Sequence, residues 1–152
     1  MREPPAAPPP PVRRAPPAPG IPRRRDLVDH ALARRALLED LRCGRVSRFE
    51  ACDASPYLQR AARERGARTA RPCPLCPGEP LREVSWVYGD ALGDGSGTAR
   101  SSRGVDLLAR TRPDFAVYEV EVCLRCGWNH LVRTYRTGTP GAPAARPSRD
   151  HD

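Results

Sequence analysis

Four cysteines, Cys73, Cys76, Cys123 and Cys126, form two C-x-x-C pairs, in CPLCPG (73–78) and CLRCGW (123–128). A glycine follows each pair, after one proline in the first case and directly in the second. In a knuckle of this kind two thiolates converge on one metal and backbone N–H groups point at the sulfurs. The glycine permits the left-handed conformation that lets the chain turn away. Two knuckles supply four sulfurs, the number a closed tetrahedral structural site takes. The expected chemistry is one structural Zn²⁺, and such a site is scaffold rather than catalyst.

Redox chemistry is the rival reading of C-x-x-C. A thioredoxin-like motif has one pair in a βαβ setting, whereas this chain has two pairs flanked by strand-like residues. The 46 residues between Cys76 and Cys123 exceed the compact spacing of roughly 15–20. An insertion between the two halves of the ribbon is therefore expected. Its cost is small, because loop-closure entropy grows slowly with length.

The other candidates carry less. Cys43 and Cys52 lie far from ligand spacing and read as buried or free thiols, with a redox or partner-binding role as the alternative. His130 follows Cys126 by four residues, but four sulfurs leave no need for a fifth ligand, so a structural hydrogen bond is the first reading. His30 and His151 have no constellation around them. No Ser/His/Asp set and no H-E-x-x-H is present, so no enzyme is expected. GDALGDGSGTARSS (89–102) lacks the G-K-[ST] of a phosphate cradle and reads as a flexible insertion. Trp86, Tyr88, Tyr118, Trp128 and Tyr135 fall on expected strands near Arg133 and Arg136. Such residues fill a thin core, dock on protein or stack on bases.

With 152 residues, 39% hydrophobic and 19 prolines, the chain suggests one small domain with tails, too lean for a large core. All 26 basic residues are arginine, a pattern of high-GC coding rather than of selection for phosphate binding. The net charge of +8 is concentrated at one end: residues 1–25 hold six Arg and one Glu, whereas residues 71–137 hold nine Arg against eight acids. With Zn²⁺ and four ionised thiols the ribbon region becomes slightly negative, so it is not a basic nucleic-acid clamp by net charge. No apolar run of about 18 residues marks a membrane span. The N-terminus has no secretory h-region. Reduced, metal-ligating cysteines then indicate a cytoplasmic protein.

Four segments are expected. Residues 1–25, with ten prolines, read as a disordered Pro/Arg-rich tail of polyproline II character. Residues 26–70 read as three helices. The first runs from an Asp26 N-cap to Arg42, with Leu27, Ala31, Leu38 and Leu41 on one face broken by Arg34 and with Gly44 past its end. Ser47-Arg-Phe-Glu50 has the capping-box pattern of a short second helix. Ser55-Pro56 opens a third that ends at Gly66. These helices lack a clear base-reading recognition helix. They are expected to cap the ribbon through Phe49, Tyr57, Leu58 and the leucines. Residues 71–137 read as the four-cysteine ribbon, with strands at 81–88, 115–122 and 128–136 and a short helix at 103–110 capped by Ser102. Residues 138–152 read as a second disordered tail. The fold class expected is α+β, a helical N-terminal segment packed on a small antiparallel zinc ribbon.

RVSRFEACDASPYLQRAA (45–62), RPCPLC (71–76), WVYGDALG (86–93) and VCLRCGWNHLVR (122–133) together resemble a small actinobacterial family of zinc-ribbon proteins whose function is not known. The resemblance covers roughly residues 24–138. It implies a cytosolic protein with a helical N-terminal part and a four-cysteine ribbon, and brings no activity or substrate.

The function expected is a non-catalytic adaptor docking on a protein or nucleoprotein machine of transcription or translation. Nucleic-acid binding through the Arg-rich segments and a thiol/zinc redox sensor are the alternatives. No small-molecule substrate and no membrane are expected.

Overall fold

The computed structural model describes residues 20 and 22–146. The expected polyproline II tail lies almost wholly outside these residues, as do 147–152. The body is a six-stranded antiparallel sheet, which corrects the expected helix-first architecture. The strands are β1 (Arg25–Asp29), β2 (Ala67–Pro72), β3 (Pro80–Tyr88), β4 (Thr98–Arg100), β5 (Phe115–Val122) and β6 (Asn129–Thr137). Their order is β1-β6-β5-β3-β2, and β4 pairs with β3. Short helices lie around this sheet: α1 (Ala31–Arg42), α2 (Arg48–Ala51), α3 (Pro56–Arg65) and α4 (Ser102–Thr111).

The correction has a physical cause in β1. RDLVD carries no decisive helical or strand period, so its state is set by a partner distant in sequence. It covers the open edge of β6, pairing Arg25 with Arg136 and Asp29 with Arg133. Asp26, the expected helix cap, sits at φ 52° in a strand whose register shifts between Arg25 and Val28. His30 is the N-cap instead and makes no side-chain cap hydrogen bond, while Asp29 before it accepts the Ala31 N–H through Oδ1 at 2.7 Å. The chain therefore joins the sheet before its first helix. Phe49 is 89% exposed and does not pack as the expected cap required, whereas Tyr57, though 61% exposed, lies against Trp86 of β3.

The glycine-rich stretch is also structured. Asp90–Gly95 forms a 3-10 turn that buries Leu92, and β4 then pairs Trp86 with Ala99. Segment 138–146, expected to be disordered, is tied down by hydrogen bonds. Ala145 N–H donates to Ala91 O at 2.8 Å, and Thr139 Oγ1–H donates to Ala109 O at 2.7 Å.

Local capping chemistry behaves as its residue types dictate. Ser47 Oγ accepts the Glu50 N–H and Glu50 Oε2 accepts the Ser47 N–H, a complete capping box. Ser55 caps α3 ahead of Pro56, and Ser101 rather than Ser102 caps α4.

Both faces of the sheet are covered. Val87, Phe115, Val117 and Tyr135 pack with Val105 and Ala109 of α4. Val84 and Val122 pack with Ala61 and Ala62 of α3. A third cluster gathers Leu81, Trp128 and Ala51 with Leu37, Leu38 and Leu41 of α1, and the cysteines lie inside it.

Candidate metal centre

Each knuckle is a turn at the end of a hairpin. In the first, Cys73 N–H donates to Glu79 O at 2.7 Å where β2 passes toward β3. In the second, Cys123 N–H donates to Trp128 O at 2.8 Å where β5 passes to β6. Gly78 and Gly127 take φ values of 84° and 86°, the left-handed conformation open to glycine. Backbone N–H groups are aimed at sulfur: Leu75 at Cys73 Sγ (3.4 Å), Cys126 at Cys123 Sγ (3.5 Å) and Trp128 at Cys126 Sγ (3.4 Å).

β3 pairs with both β2 and β5, and that pairing brings the knuckles together across the long insertion. The four Sγ atoms of Cys73, Cys76, Cys123 and Cys126 all lie within 4.8 Å of one another, and they could hold a metal ion. Three of the residues are buried and Cys126 is half-buried.

Burial disfavours thiolates here. It pushes the Cys73 thiol up to about 12, and it raises Cys76 and Cys126 as well. For Cys123 burial is again the largest influence and acts upward, but the N–H groups of Cys126 and Arg125 together with the hydrogen bonds from the Cys126 and Cys73 thiols bring it below its ordinary value. A cation held among the four sulfurs would favour the thiolate forms that burial opposes. Arg48 adds positive charge outside the cluster, its Nη2 lying 3.7 Å from Cys76 Sγ and 3.1 Å from Leu75 O.

The second knuckle is clamped by the linker between α2 and α3. Ala54 N–H donates to Gly127 O at 3.0 Å, and Asn129 Nδ2 donates to Asp53 Oδ1 at 2.8 Å. A Cβ on Gly127 would stand 2.9 Å from the Cys52 carbonyl oxygen. Gly127→Ala therefore combines a backbone clash with an unfavourable φ. It is expected to destabilise the protein by about 1–3 kcal/mol, read in chemical denaturation. Unchanged stability would mean the clamp can move aside.

A buried carboxylate joins the two halves of the centre. Glu121 is fully buried, and Arg34 Nε donates to its Oε1 at 2.5 Å. Trp128 Nε1 donates to the same oxygen at 3.1 Å, and Arg71 Nη1 donates to Oε2 at 3.1 Å. Arg71 stands two residues before Cys73, and Trp128 two after Cys126. Glu119, on the same side of β5, is nearly buried, with Arg133 Nη1 2.6 Å from its Oε2. Burial raises its carboxyl above the usual range against the pull of Arg133.

Sequence reasoning named the four sulfurs but not Glu121, Arg34 or Arg71 as their supports. The signal was present. Phe115, Val117, Glu119 and Glu121 alternate along one side of β5, so two acids fall on its buried face, and Arg34 interrupts the apolar stripe of α1. The remaining candidates separate. Cys43 is exposed, its Sγ 3.4 Å from Glu39 Oε1, whereas Cys52 Sγ lies 3.6 Å from Cys126 Sγ. His130 stays outside the sulfur cluster, with Nδ1 2.7 Å from Leu131 O and its ring stacked on Trp128. The aromatic group divides: Trp128 and Tyr135 are core, while Tyr88 and Tyr118 remain exposed.

Fold and site together define a small antiparallel-sheet protein with a four-cysteine cluster able to hold a metal ion. The chain belongs to the family of unknown function DUF5318, which matches residues 21–151. It is similar to the uncharacterized protein Mb0050 of Mycobacterium bovis and to the uncharacterized proteins MT0055 and Rv0049 of Mycobacterium tuberculosis. Each is 48% identical over 122 residues, covering 80% of this chain and 85% of the relative. These relatives fit the actinobacterial family that the sequence resembles. No solved structure matches the chain. Among the described residues, no helix is long and apolar enough to cross a membrane.

Proposed function

We propose that the protein binds one structural Zn²⁺ through Cys73, Cys76, Cys123 and Cys126, and serves as a non-catalytic docking module for a protein or nucleoprotein machine. The convergence of four sulfurs carries the metal reading. A tetrahedral ion with metal–sulfur bonds of about 2.3 Å has sulfur–sulfur edges of about 3.8 Å. Cys73 and Cys126 Sγ stand 3.7 Å apart, in keeping with one shared ion. A multinuclear iron–sulfur cluster distributes its cysteines over separate irons and needs wider spacing. Four protein sulfurs saturate tetrahedral zinc and leave no position for a substrate, which favours a structural role.

The docking reading draws on exposed aromatic rings. Tyr88 and Tyr118 meet edge to face with centroids 5.1 Å apart, and Tyr57 lies 5.5 Å from Trp86. Exposed, mutually braced aromatic side chains are the usual anchors of protein interfaces. A phosphate-binding role draws less support, because Arg133 and Arg136 are already paired with Glu119 and Asp114.

The test is purification of the tagged protein from its native lysate with and without nuclease. A defined complex that survives nuclease and is lost with the Tyr88→Ala/Tyr118→Ala double variant supports docking on protein. Partners that vanish with nuclease would replace this reading with nucleic-acid binding. Loss of binding in the double variant is expected at unchanged zinc content.

A further inference from the structure

Cys52 is a fifth thiol at the edge of the sulfur cluster. Its Sγ–H donates to Cys126 Sγ at 3.6 Å, close to van der Waals contact. Cys126 is the half-buried member of the tetrad and Cys52 is half-buried too, while Cys73, Cys76 and Cys123 are buried. The least buried residue of the tetrad is therefore the one with a spare thiol beside it. The placement is not that of a wandering loop. Cys52 terminates α2, its N–H donating to Arg48 O, and Ala54 is hydrogen-bonded to Gly127 O. The Asp53 contact with Asn129 fixes the residue between them.

From this juxtaposition we infer that Cys52 and Cys126 form a modification site: oxidation by a peroxide joins them in a disulfide and withdraws Cys126 from the metal. The inference rests on the tetrad binding a metal. In the first step the Cys126 thiolate attacks one oxygen of hydrogen peroxide. The O–O bond breaks, hydroxide leaves, and a sulfenic acid remains on Cys126. In the second step the Cys52 sulfur attacks the sulfenic sulfur. An S–S bond forms, the S–O bond breaks, and the Cys52 proton leaves with the oxygen as water. Two thiol sulfurs are oxidised and one peroxide is reduced. The remaining three sulfurs form an incomplete site with weakened hold on the ion. Cys43, exposed beside Glu39 and outside the cluster, takes no part.

The experiment treats the full-length zinc-loaded protein with limiting hydrogen peroxide. It follows released zinc with a chromogenic chelator and maps disulfides by peptide mass spectrometry. The wild type is expected to give a Cys52–Cys126 peptide pair together with loss of its zinc, both reversed by dithiothreitol and fresh zinc. Cys52→Ser is expected to form no disulfide and to lose its zinc irreversibly, because Cys126 passes from sulfenic to sulfinic acid, which dithiothreitol does not reverse. Cys43→Ser should behave as wild type. Zinc loss that dithiothreitol and fresh zinc reverse in Cys52→Ser as fully as in the wild type, or a disulfide joining two of the four tetrad cysteines instead, overturns the inference. A Cys52–Cys126 disulfide in protein that never held metal would retain the modification site and remove the metal reading on which its consequence depends.

Discussion

Cys123→Ser is expected to abolish stoichiometric zinc binding and the cooperative melting of the protein. Cys123 is fully buried, and its sulfur receives N–H groups from its own knuckle. A hydroxyl at that position is a poor zinc ligand and shortens the reach to the ion. The loss is expected to be large because metal binding and folding are one equilibrium in small sites. Structural zinc is worth roughly 10–16 kcal/mol in zinc-finger peptides. The whole stability of an ordinary domain is about 5–15 kcal/mol. The cluster also forms the centre of one of the three apolar groups, with Leu81, Trp128 and the α1 leucines around it, so its loss removes a packing nucleus as well. Metal analysis and thermal melting of the purified variant test this. A variant that melts like the wild type and retains one zinc would overturn the assignment of Cys123.

Glu121→Ala is the second large effect. The substitution leaves the guanidinium groups of Arg34 and Arg71 and the indole N–H of Trp128 around an emptied carboxylate site. Breaking one partner out of a buried ion pair costs about 3–5 kcal/mol, and the loss here belongs at the low end because Arg34 and Arg71 keep 28% and 45% of their side chains exposed to water. For a domain of this size the melting temperature should fall by on the order of 10 °C. Arg34 reaches Glu121 from α1 and Arg71 reaches it from β2, so both the helix and the first knuckle loosen. Metal affinity should decline with stability, though less than in a ligand variant. Glu121→Gln, which keeps an acceptor for Trp128 but no charge, is expected to lose less than Glu121→Ala. Differential scanning calorimetry at matched zinc content measures the difference. Wild-type melting of Glu121→Ala would show that the carboxylate does not anchor the centre.

These two effects differ in how far they could be read from the chain alone. The four sulfurs were legible because knuckle chemistry is local: two thiols, three residues of spacing and a glycine. The capping box of Ser47 and Glu50, the Ser55-Pro56 start of α3 and the strands β3, β5 and β6 were legible for the same reason. Where pairing across the fold decides, the reading failed. β1 lies next to β6, a hundred residues away in sequence, and nothing within RDLVD announces that edge. The glycine-rich stretch becomes a turn and β4 because β3 has room along its edge beyond β2. Glu121 meets Arg34 and Arg71 across 87 and 50 residues. Its signal was an acid in phase with Phe115 and Val117, which gains meaning only once the facing arginines are placed. The helices do not form a separate cap, because the chain enters the sheet through β1 before the first of them begins.

The central claim is that one zinc ion, held by four cysteines, is part of the folded structure. Native mass spectrometry of the purified protein, taken before and after exhaustive chelation with parallel circular dichroism, tests it most directly. The account predicts one zinc per chain, loss of ordered structure as the ion is removed, and recovery of both when zinc is restored. A chain that carries no metal as isolated under reducing conditions, and keeps its dichroism and cooperative melting through chelation, would contradict it.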